Sequence, residues 1–308
     1  MRALCWGLSI FATSSRLWFH YWYYSFTIGI RSTFMAKAFS VLTWNVEHFG
    51  ATDKKKKTPK KPIQPIIDEI AAVNPDIVAI IEVRSSIVAQ YLMNSMPNHF
   101  FFITEGEQMQ EILVGIRKTL PAFVTQKNEF QAGQTSLRPG LLVTPTIDGE
   151  AYPILFLHVK SMPDPRGFGI RNYMIDKAFD FRNVLKKAAG GKTPNYIFLG
   201  DLNTMGMEYF GSDKDISGER EIKELAAAAK RRSMQLLTKS EGATYWSERY
   251  GPSDLDHVVA MDHLKFKSFG GADVKVSGWN DKSNKAQRKA WVKKFSDHAM
   301  LYLEVQKV

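Results

Sequence analysis

From Phe39 onward the chain alternates short apolar runs with stretches whose apolar residues recur every third or fourth position. Residues 39–46 and 76–83 read as buried strands. Between them Ile63, Ile66, Ile67, Ile70 and Val73 follow the helical period until Asn74-Pro75 stops it. Further strand-like runs fall at 100–103, 112–117, 141–146, 154–160, 196–199, 256–261, 264–269 and 300–305. Helical patterns cover 172–189 and 219–232, and the Gly/Pro-rich stretch 161–170 reads as a loop, either contacting substrate or simply a long connection. Many strands with a few interspersed helices predict an α/β domain of two packed sheets flanked by helices. With no composition break after residue 35, one domain is expected over 35–308.

Composition changes this picture only at the ends. Hydrophobic residues make up 44% and charged residues 23% of the 308, which fits an ordinary globular protein rather than a disordered chain. The net charge of +10 favours polyanionic partners. The single cysteine, Cys5, excludes an internal disulfide framework and a Cys-rich zinc site. Residues 1–34 contain no acidic residue and carry an aromatic run from Trp18 to Tyr24. They are open to three readings: a start displaced upstream of a true Met35, a signal peptide, or a membrane anchor. A Met35 start implies a cytoplasmic protein, and the other two imply secretion or membrane association. The basic character survives their removal, because 38 basic and 31 acidic residues remain.

The chemistry lies where apolar strands end in polar residues. The first strand ends in Asn45 and Glu47 and the second in Glu82; the run at 154 leads into His158. Later come Gly200-Asp201-Leu202-Asn203, Leu255-Asp256-His257 and Ser296-Asp297-His298. One polar residue at a strand end is usually a turn or a cap, but a set of them at successive ends is the way a rigid scaffold presents side chains to a cleft. His257 and His263 are read as structural.

Trp44-Asn45-Val46-Glu47, the run from Pro75-Asp76 to Ile81-Glu82, Leu157-His158-Val159-Lys160 and the three later motifs resemble, in order, those of the endonuclease/exonuclease/phosphatase superfamily. The resemblance spans roughly Phe39 to Val305. It implies a DNase I-like, four-layer α/β/β/α sandwich of two mixed sheets flanked by helices, with the site at one edge. It also implies roles: Glu82 as principal metal carboxylate with Asn45 and Asp297 close by, and Asp201 and Asn203 orienting water and phosphate. His298 would stand beside the scissile phosphate, oriented by Asp256, and His158 matches the histidine of DNase-like and sphingomyelinase-like members. This sequence departs from the pattern at Ile81, where glutamine is common, and lacks the Trp-Cys-Asp-Arg type segment of the 5-phosphatases. Glu47 stands where some nucleases carry a further acidic residue. An all-oxygen donor set calls for Mg²⁺ or Mn²⁺ rather than zinc.

The leading substrate expectation is nucleic acid, cut as DNA or RNA by a monomeric enzyme. The loop carrying Lys54, Lys55, Lys56 and Lys57 follows the first strand, and Arg166 and Arg171 follow His158. A basic segment interleaved with Trp279 and Trp291 precedes Ser296. Such residues suit backbone neutralisation and base stacking. A phosphatase or phospholipase C-type enzyme acting on a phosphorylated lipid or inositol phosphate is the alternative, and a catalytically dead binding module is a third.

Overall fold

The computed structural model describes residues 36–53, 55, 58–211 and 213–307. The doubtful extension 1–34 lies outside these residues, as do Lys54, Lys56 and Lys57. The first half of the chain forms β1 (Lys37–Phe49), α1 (Ile63–Val73), β2 (Ile77–Val83), α2 (Ile87–Ser95), β3 (His99–Ile103), β4 (Glu111–Arg117) and β5 (Ala122–Lys127). Next come β6 (Gly140–Ile147), β7 (Glu150–Ala151), β8 (Ile154–His158), α3 (Pro165–Ala188) and β9 (Ile197–Asp201). The last third supplies α4 (Gly218–Arg231), β10 (Met234–Leu236), β11 (Tyr245–Ser247), β12 (Gly251–Ser253), β13 (Asp256–Met261), β14 (Lys275–Ser277), α5 (Lys285–Lys294) and β15 (Met300–Gln306).

Two large sheets result, in the orders β14-β15-β1-β2-β4-β3 and β10-β13-β9-β8-β6-β5, with β7 added beside β6. Each contains one parallel pair, β1 with β2 and β8 with β9, among antiparallel neighbours. Parallel strands at the middle of a sheet are covered on both faces, which is why 77–81 and 197–199 are uninterrupted apolar runs with no exposure. The inner faces meet across β2 and β9, where Ile81 approaches the Gly200 backbone. On the outside, α1 buries Ile63, Ile66, Ile67 and Ile70 over the first sheet. Against the second sheet, Phe179 of α3 meets Phe198 edge to face at 5.0 Å. The described residues form the expected four-layer α/β/β/α sandwich.

Several local expectations are corrected. The stretch 161–170 is not all loop: Asp164 caps α3 through the amides of Arg166 and Gly167, and Pro165 takes the first turn, where its missing N–H costs nothing. The run 264–269 forms no strand, only isolated bridges of Phe266 to Val305 and Phe269 to Ala272. Among the described helices none is long and apolar enough to cross a membrane.

Candidate active site

The second sheet lays out one row of chemistry by register alone. His158 ends β8, Asp201 ends β9 and Asp256 opens β13, and both outer residues pair in register with Asp201. Adjacent strands lie about 4.8 Å apart, so the three side chains are neighbours by construction. Gly200 is required there. Its φ is +133°, and a Cβ would sit 2.1 Å from the Leu157 carbonyl oxygen, inside the parallel β8–β9 ladder. Asn203 turns the chain with φ +48°, its backbone N–H donating to Asp201 Oδ1 at 3.0 Å and its amide to the Val159 carbonyl at 3.2 Å.

The first sheet approaches from across the sandwich. Asn45 Nδ2 donates to Asp201 Oδ2 at 2.9 Å and joins the two sheets. Pairing of β2 is irregular on both sides near its end, and Glu82 has φ +67°, a strained conformation for a residue with a Cβ. While Ile81 points into the core, Glu82 turns to the cleft. His48 holds it there: its backbone N–H and Nδ1 lie 3.0 and 2.9 Å from Glu82 Oε2. Burial works against the Glu82 charge, but the hydrogen bonds from His48 hold its carboxyl well below the usual carboxylate range.

Ser296-Asp297-His298 is tied to β1. Ser296 Oγ donates to the Asn45 carbonyl at 2.6 Å, and Trp44 Nε1 donates to the His298 carbonyl at 2.9 Å. His298 Nδ1 meets Asp256 Oδ2 at 2.8 Å, leaving Nε2 3.9 Å from Asp201 Oδ2. Burial disfavours the imidazolium, yet Asp256 and Asp201 overrule it and push the His298 pKa up to about 10. His158 is the opposite case. Burial, then the nearby Arg138, lowers its pKa well below the ordinary value, and its Nε2 stands 3.5 Å from Asp201 and 3.7 Å from Glu82 without a hydrogen bond to either. Burial first of all raises Asp201 and Asp297.

All eight residues expected from the sequence, Asn45, Glu82, His158, Asp201, Asn203, Asp256, Asp297 and His298, therefore gather at one edge of the two sheets. The flanking expectations divide. Lys55 is exposed beside a cavity of about 600 Å³ that Lys60, Arg84 and Asp53 also line, next to the end of β1. Arg166 is exposed in the first turn of α3. Arg171 is corrected: fully buried, it pairs with Glu221 at 2.7 Å and donates to the Met162 and Gly206 carbonyls, so it cannot reach a substrate. Trp279 and Trp291 are corrected too, because both are buried.

Other contributors had no strand-end signal. Arg138 precedes β6, donates to Gln110, and keeps a buried Nε with no partner beside Glu82 and Asp201. Gln110 Nε2 lies 3.3 Å from Glu82 Oε2, and Lys61 pairs with Glu47. The Tyr245 ring lies 5.1 Å from that of His298.

A divalent cation fits this donor set. Asp297 forms no salt bridge among the described residues, accepts only a 3.5 Å contact from Ser296 Oγ, and lies between the opposing fields of His298 and Lys61 and of Glu47 and Glu82. Asp201, Asp256 and His298 also offer three atoms within 4.8 Å of one another. Asp256 and His298 are already bonded to each other there, and Glu82 and Asp297 bring further carboxylate oxygens to the same edge, the donor type a hard divalent cation takes.

The family model described as "Endonuclease/Exonuclease/phosphatase family" matches residues 42–298. No curated protein sequence matches the chain. Solved structures share the fold. TDP2 of D. rerio complexed with single strand DNA product superposes with a TM-score of 0.57 at 14% identity, covering 87% of this chain and 99% of that one. Truncated Caenorhabditis elegans TDP2 gives 0.57 at 14%, covering 87% and 97%. The mannosyl-6-phosphatase of Bacteroides thetaiotaomicron gives 0.56 at 12%, covering 87% and 100%. With the motifs in order, the sandwich in place and the family model spanning the site from β1 to His298, the chain belongs to the endonuclease/exonuclease/phosphatase family.

Proposed function

We propose that the protein is a divalent-metal-dependent phosphodiesterase acting on nucleic acid. The observation that carries the hydrolytic reading is the convergence of two buried histidines on Asp201, His298 bonded to Asp256 at 2.8 Å with its Nε2 3.9 Å from Asp201 and His158 Nε2 3.5 Å from it, in surroundings that favour a cationic His298 and a neutral His158. Hydrolysis of a phosphodiester builds negative charge on the phosphoryl oxygens while water attacks in line. His298, held by Asp256, supplies a fixed positive charge beside that phosphate. His158 keeps a ring nitrogen facing the cleft, where it can hydrogen-bond a phosphoryl oxygen. Asp201, anchored by Asn45 and by the Asn203 amide, is placed to orient the water, and its raised pKa suits it to take a proton. Mg²⁺ or Mn²⁺, held by Glu82 and Asp297 with Asn45 nearby, would supply Lewis-acid stabilisation of the phosphoryl charge.

The fold does not choose the substrate, since it carries a mannosyl-6-phosphatase as readily as a DNA-bound TDP2. Cationic side chains around the cleft favour a polyanion: Arg138 inside it, and Lys55, Lys60 and Arg84 in the cavity beyond β1. The test is a panel of single-stranded DNA, plasmid DNA, RNA, phosphoinositides and sphingomyelin. Cleavage of nucleic acid should vanish in EDTA and return with Mg²⁺ or Mn²⁺. Glu82→Gln and Asp201→Asn should each lower kcat by about 10³-fold or more without unfolding the protein. Turnover that survives chelation, or confined to the lipids, would overturn the reading.

A further inference from the structure

Two arms stand at the rim of the site, and each ends in a large ring that no described residue covers. The first is the hairpin β11–β12, which belongs to neither large sheet. Its base is fixed to the catalytic segment: Trp246 N donates to the Asp297 carbonyl at 2.9 Å, Ala299 N donates to the Thr244 carbonyl at 2.7 Å, and Tyr245 packs against His298. Trp246 is buried, and Lys289 of α5 holds Glu248 near the tip at 2.8 Å. On this anchored base Tyr250 is 72% exposed, with the Arg249 guanidinium 5.0 Å from its ring centroid. At about 3.3 Å per residue, the tip lies roughly 7 to 10 Å beyond Tyr245.

The second arm follows Asn203. Bridged at its neck by Met207 and Ile216, it is bonded through Glu208 N to the Pro163 carbonyl at 2.7 Å, in the loop that leaves His158. At its tip Phe210 is fully exposed and Tyr209 about half exposed. The neck of this second arm is thus tied to the loop after β8 and the hairpin to the β13 and β15 side, while the root of the second arm also bonds toward β13, where Thr204 Oγ1 donates to the Asp254 carbonyl at 2.6 Å. Exposed rings scattered over a surface need no explanation; rings at the tips of two tethered arms on either side of a phosphodiesterase centre fit a ligand with flat apolar faces. A nucleobase is such a face, and aromatic platforms bind it whatever its identity. Arg249 adds a positive charge where a sugar-phosphate backbone would pass, and stacks on Tyr250 as an arginine does on a ring.

We propose that Tyr250, backed by Arg249, and Phe210 are base-stacking platforms that hold an unpaired nucleic-acid strand on either side of the scissile phosphate. This rests on the nucleic-acid reading above and narrows it, because bases inside a duplex have no free face to offer. The test is binding in EDTA, so that turnover plays no part, of the full-length protein to a fluorescein-labelled single-stranded DNA 12-mer followed by anisotropy. A 12-mer with four central abasic residues and a 12-base-pair duplex serve as comparisons. Tyr250→Ala and Phe210→Ala should each raise Kd for the single strand about tenfold, and Tyr250→Phe should restore it. Neither alanine change should alter Kd for the abasic strand, and wild type should bind the duplex more weakly than the single strand. Equal single-strand affinity in wild type and both alanine variants would overturn the platforms while leaving the nucleic-acid reading intact. A wild-type protein that binds none of the strands would overturn that reading and the platforms together. Binding to phosphatidylserine vesicles that is lost in the alanine variants, with single-strand binding unchanged, would assign the rings to a lipid surface instead and overturn the proposal.

Discussion

At the scale of single residues, the site works by giving like groups unlike environments. His158 and His298 both lie within 4 Å of Asp201. Only His298 has a carboxylate on its other ring nitrogen, whereas His158 has Arg138 nearby, and these neighbours push the two imidazoles in opposite directions. Because its folded pKa, about 10, lies above the ordinary 6.5, His298 contributes stability that is complete below about pH 6.5 and lost as pH rises through about 10. Asp256→Asn removes the main cause of the shift. NMR titration of the His298 ring should show its midpoint fall below the wild-type value, and kcat should drop about 100-fold or more. An unmoved midpoint would mean that Asp256 does not set the charge. Glu82 was legible as a carboxylate at a strand end. The positive φ that aims it was not, because strain of that kind comes from pairing with two neighbouring strands.

At the scale of elements, the loops after β8 and β9 are held by one buried ion pair. Arg171 of α3 reaches the Lys160 and Met162 carbonyls on one loop and the Gly206 carbonyl on the other, while Glu221 of α4 accepts from the Gly206 amide. In sequence Arg171 looked like a surface cation following a histidine motif. Its burial depends on where α4 lands 50 residues later. Arg171→Met leaves Glu221 buried and unpaired, so it should destabilise the protein by about 3–5 kcal/mol in denaturant unfolding. Arg171→Met with Glu221→Leu should recover much of that stability. The double variant should still hydrolyse slowly, because the loops carrying His158 and Asn203 would have lost their common anchor. Full activity in the double variant would make the pair purely structural.

At the scale of the whole molecule, the sandwich brings residues more than 200 positions apart within hydrogen-bonding distance, as Ser296 and Asn45 show. The positive charge is also a whole-molecule property, +10 over the chain with cations set around an acidic centre. Affinity for nucleic acid should therefore fall steeply with salt. Replacing Lys55, Lys60 and Arg84 with serine should reduce the slope of log Kd against log salt by up to about three while leaving kcat at saturation nearly unchanged. A slope identical to wild type would show that the cavity beyond β1 faces solvent and nothing else.

Fold class and the eight central residues were readable in the chain because both depend on local pattern. Apolar periodicity separates strand from helix, and a polar residue that breaks an apolar run shows where a strand stops being core. The Gly200-Asp201-Leu202-Asn203 motif carries its reason in its first residue, since only glycine fits against the Leu157 carbonyl. Burial of charges and rings was not readable. Arg171, Trp279 and Trp291 looked like surface ligands and are core, whereas Arg138 looked unremarkable and lies in the cleft. A side chain's composition states what it can bond to. Which partner it finds is decided by elements far away in sequence, so the bonding chemistry was written along the chain and the choice of inside or outside was made only by packing.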